Sequence, residues 1–342
     1  MEDSRISDGT FNDMTDMEEH TLRPLFLKEF VGQVKLKENL GVFITAAKQR
    51  KESLDHVFFS GPPGLGKTTL AGIIAHELGV ELRATAAPAL EKYGDLAAIL
   101  TSIGRHNIFF IDEIHRLKPA IEEMLYTAME DNEIDVVIGQ GPGARSIKIP
   151  LEPFTLAGAT TRPGLVSRPL HDRFGIRIRL DYYGSEDISN ILFRSAGILG
   201  VSLAEDAARS IARAARGTPR VANRILRRMR DFAQVWGSGD VDPAIVEKGL
   251  AALEIDDAGL DKLDREILQS IITKYDGGPV GCETIAISVG ESVDTIEDVY
   301  EPYLIQKGFI MRTPRGRVAT KNAYLHLKLP DTRTNEDQQL LF

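Results

Sequence analysis

One eight-residue run constrains this chain more than any other. GPPGLGKT at 61–68 satisfies G-x-x-x-x-G-K-[ST] at every fixed position. The apolar run HVFFSG (56–61) leads into it, and the helix-forming run TTLAGIIAHEL leads out of it. Strand, glycine-rich loop and helix in that order form a cradle whose backbone N–H groups and helix N-terminus attract phosphate. In such a cradle Lys67 sits on the β- and γ-phosphates of a nucleotide and the Thr68 hydroxyl on Mg²⁺.

The surrounding pattern extends this to an α/β domain. From Leu22 to about Tyr183, short apolar runs alternate with amphipathic helical stretches, the pattern of a parallel sheet flanked by helices. NIFFID (107–112) and FTLAGAT (154–160) are further buried strands. Open α/β sheets bind ligands at the carboxyl ends of their strands. NIFFID delivers Asp112 and Glu113 there, Asp112 to complete a Mg²⁺ shell and Glu113 to polarise an attacking water. No base-recognition motif of a GTPase accompanies them, and the family resemblance given below implies ATP as the nucleotide, with Mg²⁺. His115 reads as a polar helix residue, since a metal site needs further His or Cys partners at ligand spacing.

The 342 residues divide into a flexible arm (1–20), the α/β part (21–183), a helical stretch (184–255), a third unit (258–330) and a polar tail (331–342). The expected fold class is α/β: a P-loop core with a parallel sheet, then a helical domain, which the family resemblance given below makes a lid, and a C-terminal winged-helix domain. The single cysteine, Cys282, excludes an internal disulfide and a Cys-based zinc cluster. There is no apolar run long enough to span a membrane and no N-terminal signal pattern, so the expected location is the cytoplasm. A net charge of −9 excludes bulk attraction to nucleic acid, so any DNA contact must be local.

Such a local concentration exists near the C-terminus. LDREILQSIITKY (263–275), CETIAISVG (282–290) and SVDTIEDVYEPYLIQKG (292–308) read as three helices, and FIMRTPRGRVAT (309–320) as strand, turn and strand. Glu283 to Glu301 holds six acids and no Lys or Arg, whereas Lys307 to Lys328 holds six Lys or Arg and no acid. Phosphates repel the acidic third helix, so the wing is the expected DNA contact. Arg312 and Arg317, on either side of the turn, are the candidates for backbone phosphates, which carry no sequence information. The alternative is that the basic hairpin balances the acidic helix within the domain.

IDVVIGQGPGARSIKI (134–149) reads as a β-hairpin that hydrolysis does not require. Its consecutive apolar residues Val136, Val137 and Ile138 make it a candidate docking surface, the alternative being a hairpin folded onto its own core.

The combination GPPGLGKTTLA, FFIDEIHR, GATTRPG, DRFGI and RGTPR resembles the AAA+ ATPases. With DEIHRL before IEEMLYTAMED, and RTPRGR near the C-terminus, it resembles the RuvB family in particular, motors of Holliday-junction branch migration. The resemblance runs from Leu22 to Arg317. It implies adenine contacts at Leu22 and Arg23, and phosphate and Mg²⁺ contacts at Gly64, Lys67, Thr68 and Thr69. Nucleotide contacts are also implied at Glu130, Asp131, Asn132 and Tyr183. Thr161 resembles the sensor 1 residue, with Thr160 left open as the alternative, and Arg220 in GTPR resembles sensor 2. Arg173 in DRFG resembles an arginine finger supplied by a neighbouring subunit, with Arg168 as a competitor. The implied partners are the four-way junction and duplex DNA, RuvA at the hairpin, the resolvase RuvC, and further copies of the chain in a homohexameric ring. The competing readings are another DNA-directed AAA+ ATPase, a clamp loader or initiator, and a nucleotide-switched DNA-binding adaptor with little turnover.

Overall fold

The computed structural model describes residues 21–138 and 145–330; the expected arm, the hairpin turn and the tail lie outside the described residues. The chain divides into two compact units. One comprises the described residues of Met1–Gly61, with Gly66–Leu180 and Phe193–Val201. The other comprises Pro62–Leu65, Asp181–Leu192 and the described residues of Ser202–Phe342. No helix among the described residues is long and apolar enough to cross a membrane.

The first unit is built on β1 (Val57–Ser60), β2 (Leu82–Ala86), β3 (Ile108–Asp112), β4 (Glu133–Ile138), β5 (Arg145–Pro150), β6 (Thr155–Thr160) and β7 (Ile176–Arg179). Five of these form one parallel sheet in the order β2-β3-β6-β1-β7. β1, β3 and β6 are apolar at successive positions rather than alternately, and their side chains are buried on both faces, as a helix-covered parallel sheet requires. Helices α1 (Val34–Arg50), α2 (Lys67–Leu78), α3 (Tyr93–Ser102), α4 (Pro119–Glu130) and the short α5 (Arg168–Asp172) complete the unit. Its core gathers Phe58, Phe109, Ile111, Leu125 and Phe174, all essentially inaccessible. A fully buried side chain of this size is worth roughly 1.5–3 kcal/mol. The register pairs Ser60 with Thr160 and Ala86 with Asp112, so the loops after β1, β3 and β6 leave the sheet at the same carboxyl edge.

The second unit begins with the end of the α/β part and continues through helical hairpins. Its helices are α6 (Ser185–Leu199, divided between the units), α7 (Glu205–Ala214), α8 (Pro219–Trp236) and α9 (Pro243–Ala252). Asp242 caps α9 by accepting from the Ile245 N–H at 2.8 Å. The winged-helix part follows as α10 (Lys262–Lys274), α11 (Cys282–Val289), α12 (Val293–Thr295) and α13 (Glu301–Gln306), with a π-helical turn at Ile296–Tyr300 between the last two. The wing, β8 (Ile310–Thr313) and β9 (Gly316–Ala319), pairs antiparallel and leads into α14 (Lys321–Leu327). Ile267, Ile271, Ile285, Leu304, Phe309 and Tyr324 form its core. A reciprocal capping box between Asp261 and Asp264 starts α10.

Candidate active site and wing

Within the first unit, Lys67 opens α2 and is 7% exposed, its Nζ donating to the Gly61 carbonyl at 2.8 Å. Thr68 and Thr69 follow in the first helical turn and are partly buried. Asp112 ends β3 and accepts the Glu113 N–H at 3.0 Å. Glu113 has left-handed backbone dihedrals (φ 49°), an uncommon conformation for a residue with a side chain and one often found where function fixes the backbone. Its Oε2 accepts from both the N–H (3.4 Å) and the hydroxyl (3.2 Å) of Thr161. The same oxygen lies 3.2 Å from His115 Nδ1.

This arrangement separates the two neighbouring threonines. Thr160, the last residue of β6, is fully buried and its hydroxyl faces His115 Nδ1 at 2.9 Å. Thr161 is the one that reaches the Glu113 carboxylate. His115 joins both residues, which the sequence reading missed, having placed it on a polar helix surface. The signal for it was its position two residues after Glu113, which is informative only once the strand end is known.

Leu22 is buried and Arg23 lies beside it; their carbonyls accept from Arg194 Nη1 at 2.7 Å and Nη2 at 3.5 Å respectively. Arg194 was not singled out from the sequence, since its partners lie about 170 residues away. Arg173 follows α5. Its guanidinium stacks over Tyr126 (4.4 Å to the ring centroid), donates to the Pro169 carbonyl at 2.8 Å and meets Glu130 at 3.0 Å. Its Nε is buried with no hydrogen-bond partner among the described residues. Arg168, the competitor, is almost wholly exposed and lies 3.6 Å from Asp172. Glu130 closes α4, Asp131 caps it from an exposed position, and Asn132 turns the chain into β4 with a left-handed φ of 50°.

β4 and β5 form the expected hairpin, with Val136 opposite Ile147. Val136 corrects the sequence reading. It is partly buried and packs with Ile134 and Ile149 against the unit's own core, so it does not stand free for a partner. Among the described side chains of the hairpin, Ile147 is the exposed large apolar one, at 48%. Val137 and Ile138 lie in β4, but their side chains fall outside the described residues.

In the second unit, Gly64 has a positive φ of 78°, and a Cβ there would stand 2.8 Å from the Thr218 methyl. Glycine is therefore required for the loop to approach residues 218–220. The Gly64 carbonyl accepts the Arg220 N–H at 3.3 Å, with the Arg220 side chain exposed. Tyr183 is buried; its hydroxyl donates to the Leu65 carbonyl at 3.2 Å, and burial raises its pKa.

The wing brings a second correction. Arg317 is only 8% exposed and cannot lie on a phosphate backbone. It forms a bidentate pair with Glu301 (3.1 and 2.7 Å) and a further bond to Glu297 (2.8 Å), so it is the internal counter-charge of the acidic third helix. Arg312 does remain on the surface, its side chain 62% exposed and 3.5 Å from Glu297. Arg315 at the turn is exposed as well. Cys282, Glu297 and Glu301 bring ligand-type atoms within 4.8 Å of one another, but the guanidinium already bonds both carboxylates.

Comparison with known proteins covers nearly all of the described chain. The family model for the Holliday junction DNA helicase RuvB P-loop domain matches residues 22–180. The RuvB AAA lid domain matches residues 183–256, and the RuvB C-terminal winged helix domain matches residues 257–328. The Holliday junction branch migration complex subunit RuvB of Treponema denticola is 60% identical over 327 residues, covering 96% of this chain and 95% of that one. Its counterpart in Treponema pallidum is 61% identical over 316 residues, covering 92% and 90%. The structure of the Thermotoga maritima RuvB Holliday junction branch migration motor superposes with a TM-score of 0.84 at 49% identity, covering 91% of this chain and 99% of that one.

Proposed function

Because the chain belongs to the RuvB family of AAA+ branch-migration motors, we propose that it hydrolyses ATP in a homohexameric ring and draws duplex DNA from a Holliday junction, working with RuvA and RuvC. The observation that carries the chemistry is the convergence of Lys67, Asp112 and a Thr161-anchored Glu113 at the loops leaving one sheet edge. The Thr68 hydroxyl and the Asp112 carboxylate are hard oxygen donors, the set that Mg²⁺ accepts while keeping most of its water. When bound, Mg²⁺ neutralises the charge that develops on the phosphates.

The chain's own residues do the rest. Lys67 binds the β- and γ-phosphates, and Thr69 supports the same loop. Leu22, Arg23 and Tyr183 hold the nucleoside end. Glu113 orients the attacking water and takes its proton, held at the correct angle by Thr161. Thr161 and Arg220 read the γ-phosphate. Arg173 acts on the neighbouring subunit's nucleotide: within its own chain it is held by Glu130, Tyr126 and Pro169 rather than by Lys67, Asp112 or Glu113. A finger so placed is worth about 10³–10⁵ in rate. Glu130 lies beside it, and Asp131 and Asn132, the two residues that follow Glu130, complete the same intersubunit contact. Arg312 and Arg315 hold phosphates on the wing without reading sequence. The hairpin docks RuvA through Ile147 and its neighbours.

Phosphate release measured with and without a four-way junction tests this reading. Turnover that rises with DNA, and falls by 10² or more in Glu113→Gln, is the expected result. Nucleotide binding with turnover unaffected by Glu113→Gln would leave a nucleotide-switched adaptor instead.

A further inference from the structure

We propose that Arg216 is the positioning residue that couples the nucleotide-reading loop to the DNA-binding wing domain, so that lid and winged helix turn as one body. The inference rests on the motor reading above.

Arg216 lies between α7 and α8 with a left-handed φ of 58°. The residues after it are Gly217, Thr218, Pro219 and Arg220. They are tied to the phosphate loop: the Arg220 N–H donates to the Gly64 carbonyl, and the Thr218 methyl packs where a Gly64 side chain would be. The Gly217 carbonyl accepts the Tyr183 N–H at 2.9 Å, and a Cβ on Gly217 would lie 2.8 Å from the Tyr183 carbonyl oxygen. Tyr183 in turn bonds Leu65. The loop has little room to shift independently of Gly64 and Leu65.

The Arg216 side chain points the other way, into residues matched by the winged-helix model. Nε donates to the Gly259 carbonyl at 2.7 Å. Nη1 and Nη2 form a bidentate pair with Asp264, at 3.3 Å for Nη1, and Nη2 lies 3.3 Å from Asp261. The guanidinium stacks over Tyr303 at 4.9 Å. Asp264 is fully buried in the first turn of α10, where it also accepts the Asp261 N–H. Arg224 and Arg228 of α8 line the same cleft as Asp261 and Asp298 of the wing domain, so opposite charges flank the joint.

A buried ion pair of this kind adds little net stability, because desolvation cancels most of its attraction. Its bidentate geometry does fix orientation. Two domains joined by one strand of chain move relative to one another unless contacts fix the joint, and a loose joint transmits no stroke. Arg265 on the Glu254 carbonyl and His326 on Asp256 also bridge it, but neither adjoins the loop that touches Gly64. One guanidinium placed one residue before the loop that touches Gly64 turns that joint into a lever.

The test uses the full-length chain with a synthetic four-way junction and RuvA. Arg216→Met combined with Asp264→Asn removes both charges and leaves no unpaired buried carboxylate. Basal ATPase and duplex binding should stay within about twofold, while junctions dissociated per ATP hydrolysed fall at least tenfold. Arg216→Lys keeps the charge without the fork and should fall in between, and it serves alone if the double variant does not fold. A folded variant whose junctions per ATP match the wild type overturns the proposal. So does a parallel loss of ATPase and dissociation that leaves their ratio unchanged. Wild-type protein that moves no junction would overturn the motor reading instead.

Discussion

Replacing Arg317 with alanine should destabilise the winged-helix domain and leave the electrostatics of DNA binding alone. The side chain makes two bonds to Glu301 and one to Glu297, and Glu301 is itself only 3% exposed. Removing one partner of a buried pair strands the other, at a cost of about 3–5 kcal/mol. Arg312, 3.9 Å from Glu301, offsets part of that, so the low end applies. At roughly 4–8 °C per kcal/mol for a domain of this size, the melting temperature should fall by more than about 10 °C. Arg317→Met with Glu301→Leu, which strands no charge, should recover most of the loss. Arg315→Ala should behave in the opposite way. Its melting should be unchanged, while the slope of log affinity against log salt becomes shallower by about 0.9, the signature of one phosphate contact. Calorimetry and fluorescence anisotropy on duplexes of two unrelated sequences measure both. An Arg317→Ala protein that melts like the wild type but shows a shallower salt slope would refute the reasoning.

The remaining predictions follow from the same geometry. Thr161→Val removes the hydroxyl that holds Glu113 and should lower kcat at least tenfold with little change in KM; a raised KM at constant kcat would mean that Thr161 binds rather than positions. Arg173→Ala alone and Lys67→Ala alone should both be inactive as ATPases, yet mixing the two should restore turnover, because one subunit supplies the finger and the other the nucleotide; no recovery on mixing counts against action in trans. Ile147→Asp should leave ATPase and melting intact while abolishing RuvA docking in a pull-down, whereas Val136→Asp should also lower the melting temperature, since it places a charge against the core. Burial pushes the Asp264 carboxyl from near 3.8 up to about 7, with Arg216 opposing the shift. A raised carboxyl favours the folded state while protonated, so its contribution is complete below about pH 4 and is lost as pH rises through 7. Wild-type stability minus that of Asp264→Asn should therefore fall as pH rises across that window, by at most about 1.4 kcal/mol per pH unit; a value that is flat or rises with pH contradicts it.

The parts of this molecule that were legible in the sequence are those set by local pattern. The strand before the phosphate loop, the strand ending at Asp112 and the strand ending at Thr160 all lie within one residue of their apolar runs. Gly290, with φ 74°, ends α11 where a glycine stop was expected. What failed was set by tertiary partners. Arg317 and Arg312 sit on either side of one turn and look alike in sequence. Only the packing of the wing on Glu297 and Glu301 turns Arg317 inward. The sequence did hold the clue, in the six acids set against six bases, and the reading of internal balance was correct for Arg317. Val136 and Ile147 are cross-strand partners, yet Val136 packs against the core while Ile147 is exposed, a difference set by tertiary packing rather than by the run. Arg194 under Leu22 and Arg216 on Asp264 join residues far apart in the chain, and a helical pattern carries no trace of either contact.

The most direct measurement is ATP-dependent dissociation of a synthetic four-way junction, with and without RuvA, beside a linear duplex control. The account predicts dissociation of the junction that needs ATP, spares the linear duplex, and disappears in Arg173→Ala. Steady ATP turnover with no junction movement, with or without RuvA, would contradict it.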